Sequence, residues 1–551
     1  MPTSWYQAIP SILDQVQKEN PKSILDVGVG FGKYGLMVRE VLELPYERYN
    51  KNQWIVNIEG IEAFEEYRNP IHDYIYNKIH YGEVTQVIDN LPKYDCILLI
   101  DVLEHFEKEE GKKVIDQLIA HTNKSLIIST PRYPSKQEEY LGNRYEEHKS
   151  KWSIIDFIDY DFSYQEVLIG GNSAELFQIF PTKKNISVEI KKEVKVDVDK
   201  TINKKDKLSI GYIIPHKFLT GGLKVLLYQM KELRSRGHKI HAIFRGRPNE
   251  RALPDWFDIE VDKEILVPLD KSYLDYINDC DVIVCGFFNQ ILELETSDKP
   301  IVYLEQGSEI LFGDYKDLSS NAGYRVDMKK AYLSNNCHLA SISGTISRIL
   351  KGRFDKESYI IPNFVDTDLY YPVEHEFTNT ILLVGNPNLK FKDFGTAMQT
   401  LQNLWSKGVR FNVNWVCQTK PNVIGSSFPI NFIENASQEK LAEYYRKADL
   451  FLFTSIYEGF GMPPLEAMAS GTPVITTNCG GINEFVEPSY NALVAEVYDI
   501  GHLEILINHL LENKEARDVL SKRGRETALK FNKENTISKL EEYLLKIYNN
   551  N

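Results

Sequence analysis

Two stretches of this sequence combine residue types that could do chemistry. In EGFGMPPLEAMASGTPVI, Glu458 and Glu466 stand on either side of Gly459, Phe460 and Gly461 and of the pair Pro463 and Pro464. Glycines let the backbone come close to a ligand, and prolines suit the first turn of a helix, where an N–H would be unpaired anyway. A helix start of this kind favours an anion by roughly 0.3–1 kcal/mol, and by about 2 kcal/mol when partly buried. Carboxylates beside it are suited to hydroxyls, so the pattern predicts a ligand with both a diphosphate and sugar hydroxyls. Glu466, in the first helical turn, would take a ribose diol, although it would equally complement the helix dipole, and Glu458 in the turn would face a reacting sugar. The second stretch, SILDVGVGFGKYG, places Gly28, Gly30 and Gly32 after a strand and at the start of a helix, with Asp26 two residues ahead. Its Gly-x-Gly-x-Gly spacing differs from the dinucleotide pattern GxGxxG, but the same backbone logic offers N–H donors to a nucleotide.

The elements that must hold these residues alternate along the chain. SILDVGVG, WIVNIEGIE, KIHYGE, YDCILLIDV and SLIISTP read as buried parallel strands with amphipathic helices between them, and YQEVLIGG with AELFQIFP reads as an antiparallel hairpin. Residues 183–207, rich in Lys and acids and free of Gly, Pro and aromatics, form a linker, within which VKVDVD alternates like an edge strand. Beyond it the β-α pattern restarts at LSIGYIIP and again at TILLVGNP, giving two doubly wound halves that bind ligands at the carboxyl ends of their strands. The expected fold is α/β throughout: residues 1–182 in one domain, 208–375 and 376–551 in the two halves, the last carrying the terminal helix.

The chain has 551 residues, 43% of them hydrophobic and 26% charged, which fits several globular cores. A net charge of −14 argues against nucleic acid as a partner. Six scattered cysteines show no CxxC pair and read as core thiols of a reducing compartment. The start MPTSWYQAIPSILDQVQ has neither a basic nor an apolar leader segment, and the expected location is cytoplasmic, extending to the inner face of a membrane.

The glycine loop, the acidic end of IEGIEAF and LLIDVLEHF together resemble the class I S-adenosylmethionine-dependent methyltransferases over residues 20–182, and GNRYEEHKSKWSIIDF looks like a segment of a subset of that family. The resemblance implies a seven-stranded sheet and S-adenosylmethionine as cofactor. Gly28, Gly30 and Gly32 would cradle its amino-acid part with Asp26 supporting the loop; Glu62 would take the ribose hydroxyls, Glu83 the adenine, and Asp101 would line the pocket. His105 and His148 are the imidazoles available as a base for O-methylation.

The acids of the first stretch, followed by AMASGTPVITTNCGGINEFV, resemble the nucleotide-sugar glycosyltransferases of family 4, with the GT-B fold, over residues 208–551. The resemblance implies transfer of a hexosyl or deoxyhexosyl group from a nucleoside diphosphate with retention of configuration, with no metal. Lys392 in LKFKDFGTAM would neutralise the leaving phosphate together with Lys390, and Gly221 and Gly222 would approach the diphosphate. Donor contacts would come from Glu458, Gly459, Phe460, Gly461 and Glu466. The family's Arg upstream of the lysine is replaced near Asn386. VDTD, Val365–Asp368, mimics a metal-binding DxD and reads as a chance loop match, and Glu305 and Gln306 receive no role.

A chain of about 25 residues spans roughly 28 Å and keeps tethered sites at millimolar effective concentration, which suits sequential work on one substrate. The expectation is a bifunctional enzyme of surface-polysaccharide or glycan biosynthesis, acting on a glycan or lipid-linked oligosaccharide, with peripheral membrane contact and glycan-assembly proteins as further partners. Two alternatives stay open: a glycosyltransferase with a non-catalytic docking module, and a natural-product tailoring enzyme.

Overall fold

A computed structural model describes residues 5–134, 137, 139, 142–169, 172–181, 205–218, 220–313, 318–421 and 426–550. The predicted linker up to residue 204, with its VKVDVD stretch, lies outside the described residues, as do Gly170 and Gly171 of the hairpin turn. The chain divides into two compact units, Met1–Glu193 with Glu309–Leu318, and Val194–Ser308 with Ser319–Asn551.

The first unit is built on β1 (Ser23–Val27), β2 (Asn57–Glu62), β3 (Lys78–Tyr81), β4 (Tyr94–Ile100), β5 (Thr122–Pro131), β6 (Asp161–Ile169) and β7 (Asn172–Phe180). They form one sheet in the order β3-β2-β1-β4-β5-β7-β6. Both pairings of β7 are antiparallel and the rest are parallel, so β7 alone runs against the sheet. The central strands β1 and β4 are buried along almost their whole length, as strands covered on both faces must be, which is why they read as apolar runs without alternation. Residues 309–318 belong to this unit, a correction to the sequence boundaries. The Tyr164 N–H donates to the Gly313 carbonyl at 2.9 Å, and Gly313 sits so close to Phe162 that a Cβ would lie 2.7 Å from the ring. Local periodicity carries no trace of a pairing at that sequence separation.

In the second unit, β8 (Ser209–Ile213), β9 (Lys239–Arg245), β10 (Lys263–Val267), β11 (Val282–Cys285), β12 (Ile301–Glu305), β13 (Cys337–Ser341) and β14 (Tyr359–Ile360) make a parallel sheet, order β10-β9-β8-β11-β12-β13-β14. A second parallel sheet, order β17-β16-β15-β18-β19-β20, holds β15 (Thr380–Val384), β16 (Asn412–Cys417), β17 (Ile430–Glu434), β18 (Leu450–Phe453), β19 (Val474–Thr477) and β20 (Leu493–Ala495). The order reverses at β8 and at β15, and at such a reversal two adjacent loops diverge and leave a crevice at the strands' carboxyl ends. The terminal helix Lys533–Asn550, assigned from sequence to the second half, instead packs on the first. Its Glu541 accepts from Arg236 and His238 at 2.9 Å each, and its Tyr543 hydroxyl donates to the Leu339 carbonyl at 2.9 Å. Among the described residues no helix is long and apolar enough to cross a membrane.

Candidate functional sites

The glycine loop of the first unit is held open by its own backbone. Gly28, Gly30 and Gly32 have φ of +78°, +54° and +86°, a region where an L side chain crowds its own carbonyl. A Cβ on Gly28 would also lie 2.4 Å from Val102 Cγ2, whereas the space in front of Gly30 is open. Gly32 caps the helix Lys33–Leu42. Behind the loop, Asp26 is 3% exposed and accepts from the Tyr76 hydroxyl at 2.5 Å. Burial pushes its carboxyl up to about 7 against that hydrogen bond. Asp26 therefore supports the loop from below and does not face the pocket, which corrects its grouping with the ligand-contacting residues.

The pocket encloses about 1070 Å³ and is lined by the loop glycines, Glu62, Glu83, Asp101, Glu104, His105 and His148, among others. Glu62 was expected to be free for a diol, yet Oε2 accepts from Gly30 N (2.7 Å) and Oε1 from Phe64 N (2.8 Å). The Ala63 backbone also hydrogen-bonds this carboxylate, so a ligand would have to share it. Glu83 accepts from the Tyr145 hydroxyl at 2.9 Å, so an adenine contact would have to share it. Asp101, at φ +52°, accepts from Ser129 Oγ at 2.7 Å. Its pKa is raised by burial, with Lys33 pulling it back.

His105 and His148 do come together, with ring centroids 5.0 Å apart. His105 Nδ1 lies 3.1 Å from the Glu147 carbonyl, which can only accept, so Nδ1 carries the proton and Nε2 of the neutral ring does not. Burial pushes His105 down to about 4, which makes it a weak base at neutral pH and a correction to its assignment as general base. Sequence reasoning passed over Glu104, 2% exposed, whose Oε2 has no hydrogen-bond partner among the described residues. Burial and the charge of Asp101 raise its pKa well above the usual carboxylate range. The motif DVLEHF carried this acid, immediately before the histidine.

In the second unit Glu458 and Lys392 converge on one turn, while Glu466 lies inside the helix that follows it. Lys392 Nζ donates to Glu458 Oε1 at 2.6 Å, and Ser455 Oγ donates to the same oxygen at 2.8 Å. Glu458 is thus an ion-pair partner, not the free carboxylate that the spacing suggested. The turn is fixed by Glu458 N–H to the Cys479 carbonyl (2.9 Å), Gly481 N–H to the Glu458 carbonyl (3.0 Å) and Ile456 N–H to the Phe391 carbonyl (2.7 Å). Gly461, at φ +90°, caps the helix Met462–Ala469. Pro463 and Pro464 carry no N–H, so of the four donors a helix start leaves unpaired only those of Gly461 and Met462 remain. Two missing donors weaken this helix start as an anion site, and the Lys392 ammonium stands beside it.

Phe460, predicted as a donor contact, is 2% exposed and packs on Phe485 and Phe531, at ring-centroid distances of 5.3 and 6.0 Å. Its side chain anchors the turn in the core; only its backbone could meet a ligand. Gly459 touches the first half, where a Cβ would lie 2.3 Å from the Gln306 carbonyl oxygen, and its own carbonyl accepts from Ser343 Oγ at 2.6 Å. Gln306, left without a role by the sequence, also donates through Nε2 to the Gly222 carbonyl at 3.2 Å and so ties both glycine segments together. Glu305 accepts from the Tyr332 hydroxyl and from Gly307 N (2.7 Å), a structural use. Gly221 and Lys390 are exposed, and Gly222 is half-buried.

Glu466 has its pKa raised by burial, with the charge of Lys224 foremost among the groups pulling it back. Lys224, on the helix Gly221–Ser235, was missed; its position three residues after Gly221 was the available signal. A cavity of about 970 Å³ in the first half is lined by His216, Lys217, Phe218, Gly222, Arg245 and Gln306, among others. Asp366 of the VDTD segment spends Oδ1 on Asp368 N (3.1 Å) and Leu369 N (3.3 Å), closing its own turn, and Asn386 does the same with Asn388 N (3.0 Å).

Residues 429–527 match the family model for glycosyl transferases group 1. The chain is 27% identical over 184 residues to the MMP alpha-(1->4)-mannosyltransferase of Mycolicibacterium hassiacum, covering 32% of this chain and 44% of that protein. It is 32% identical over 117 residues to a D-inositol 3-phosphate glycosyltransferase of Mycolicibacterium smegmatis, covering 21% and 26%. The chain spans less than half the length of these curated relatives. Among solved structures, sucrose-phosphate synthase from Thermosynechococcus elongatus superposes with a TM-score of 0.51 at 19% identity, covering 63% of this chain and all of that one. HepE of Anabaena, in complex with UDP and glucose, gives a TM-score of 0.51 at 15% identity, covering 62% and 100%. The parallel Rossmann-like halves are those of the GT-B fold.

Proposed function

We propose that the second unit is a glycosyltransferase that moves a hexosyl or deoxyhexosyl group from a nucleoside-diphosphate donor to a glycan or lipid-linked acceptor, with retention and without a metal. The observation that carries the reading is the Lys392–Glu458 pair, 2.6 Å apart beside the cap of the helix Met462–Ala469. A lysine held there by a carboxylate is preorganised to neutralise charge developing on a leaving phosphate, which is where fixed electrostatics contribute most to rate. Lys390 and the backbone of Gly459–Gly461 would help hold the diphosphate, Glu466 the ribose, and Gly221 and Gly222 would approach from the first half. The likeness to group 1 glycosyl transferases over residues 429–527 supports this assignment.

We propose further that the first unit binds S-adenosylmethionine, which when bound supplies an activated methyl group. The open space before Gly30, the positive φ of the three loop glycines and the roomy pocket fit such a group, and a single reversed strand, inserted between β5 and the edge strand β6, suits the resemblance. Gly28, Gly30 and Gly32 would hold it, with Asp26 beneath the loop and Glu62, Glu83 and Asp101 around the pocket. Joined in one chain, the activities suit stepwise building and O-methylation of a surface glycan in the cytoplasm, at the membrane's inner face. The test is mass spectrometry of products formed from a panel of nucleotide sugars on free and lipid-linked oligosaccharides, with and without the methyl donor. Sugar transfer without any methylated product, together with no S-adenosylmethionine binding by calorimetry, would leave only the glycosyltransferase assignment standing.

A further inference from the structure

We infer that Glu104, His105 and His148 form a binding site for a divalent transition-metal ion in the pocket of the first unit. Each offers one ligand atom, and the three atoms lie within 4.8 Å of one another. Donors around a tetrahedral ion with bonds of about 2.1 Å stand about 3.4 Å apart, so a rotation of the side chains closes the set. The backbone already brings the two segments together. Lys149 N and Ser150 N donate to the Glu104 carbonyl at 2.8 and 3.1 Å, and Trp152 Nε1 donates to the Leu103 carbonyl at 3.2 Å. The hydrogen bond from His105 Nδ1 to the Glu147 carbonyl at 3.1 Å fixes the tautomer that leaves Nε2 as the ligating nitrogen, the orienting contact that metal-bound histidines commonly make.

An independent observation points to a ligand. Glu104 is 2% exposed, and its Oε2 has no hydrogen-bond partner among the described residues. A buried carboxylate oxygen in that state is costly unless a cation or a proton meets it. Two imidazoles and one carboxylate suit Zn(II), Co(II), Mn(II) or Fe(II) and not the oxygen-seeking Mg(II) or Ca(II). Three protein donors leave positions open toward the pocket that also holds the glycine loop, where the ion would bind and acidify a hydroxyl of a second ligand. That use rests on the methyl-transfer reading; the binding of the ion does not.

The test uses the full chain, stripped with a chelator and titrated with Zn(II) by calorimetry and with Co(II) by visible absorption, with Mg(II) as the contrasting arm. One Zn(II) or Co(II) per chain is expected, with Co(II) bands of a low-coordinate nitrogen-oxygen site. His148→Ala and Glu104→Gln should each weaken binding by about 100-fold, the upper end of what losing even a supporting contact costs. The half-buried His148 gives a variant that folds if the buried Glu104 does not tolerate change. No stoichiometric binding, equal binding of Mg(II), or binding that survives both substitutions overturns the inference. S-adenosylmethionine binding measured in parallel separates the two readings: metal binding without the methyl donor sinks only the methyl-transfer assignment, and the reverse sinks only this site.

Discussion

Replacing Lys392 by alanine tests the central claim about the second unit. Nζ is 2.6 Å from Glu458 Oε1, and the two side chains are 14% and 12% exposed. At an effective dielectric constant of about 20, this separation corresponds to a gross attraction of about 6 kcal/mol, most of it offset by the loss of hydration on both ions. Removing the ammonium leaves Glu458 with Ser455 Oγ as its hydrogen-bond partner among the described residues, so the chain should lose about 3 kcal/mol, the low end for breaking a buried pair. If the same ammonium faces the leaving phosphate, kcat per folded molecule should fall by about 100- to 1000-fold, as when one preorganised donor is removed from an oxyanion site. Glu458→Gln keeps an acceptor for the lysine but leaves its charge uncompensated, so it should cost about 2 kcal/mol in stability, somewhat less than Lys392→Ala, while still slowing transfer. The assay is release of nucleoside diphosphate from a panel of nucleotide sugars, with thermal unfolding run beside it. The double variant Lys392→Ala/Glu458→Gln should be no slower than the worse single one, because neighbours that act as one device are not additive. A Lys392→Ala chain that keeps more than about a tenth of kcat, or a double variant that loses the product of both defects, would refute the assignment.

Four further outcomes are expected. Gly28→Ala, forced to φ +78° and against Val102, should destabilise the first unit by about 2 kcal/mol or more and abolish S-adenosylmethionine binding by calorimetry. Asp26, at about 7 in the folded chain against 3.8 as a free carboxyl, binds its proton more tightly when folded, so its contribution is present in acid and lost as pH rises from about 4 through about 7. Asp26→Asn should therefore gain on the parent across that window, by up to about 4 kcal/mol, read by hydrogen exchange of the β1 amides; a difference that does not change with pH would contradict the burial argument. Phe460→Ala should cost about 3–5 kcal/mol in thermal unfolding through the Phe485 and Phe531 cluster, with transfer per folded molecule falling much less than in Lys392→Ala. Sugar transfer should survive a chelator, since Lys392 supplies the neutralising charge; loss that Mn(II) restores would count against it.

The sequence by itself determined where strands and helices begin and where the backbone must turn. Unalternating apolar runs such as YDCILLI need cover on both faces, and the glycines at 28, 30 and 32 admit conformations that other residues resist; both are local constraints, readable from neighbours in the chain. Only the tertiary structure decided what those turns hold. Lys392 and Glu458 are 66 residues apart, Gln306 reaches both Gly222 and Gly459, and His148 meets Glu104 and His105 from a distant part of the chain. Phe460 shows the same limit from the other side: its glycine neighbours advertised a ligand, but hydrophobic burial against Phe531 took its ring into the core. Pairings of this kind depend on which surfaces the folded sheets bring face to face, and a one-dimensional pattern carries no record of that.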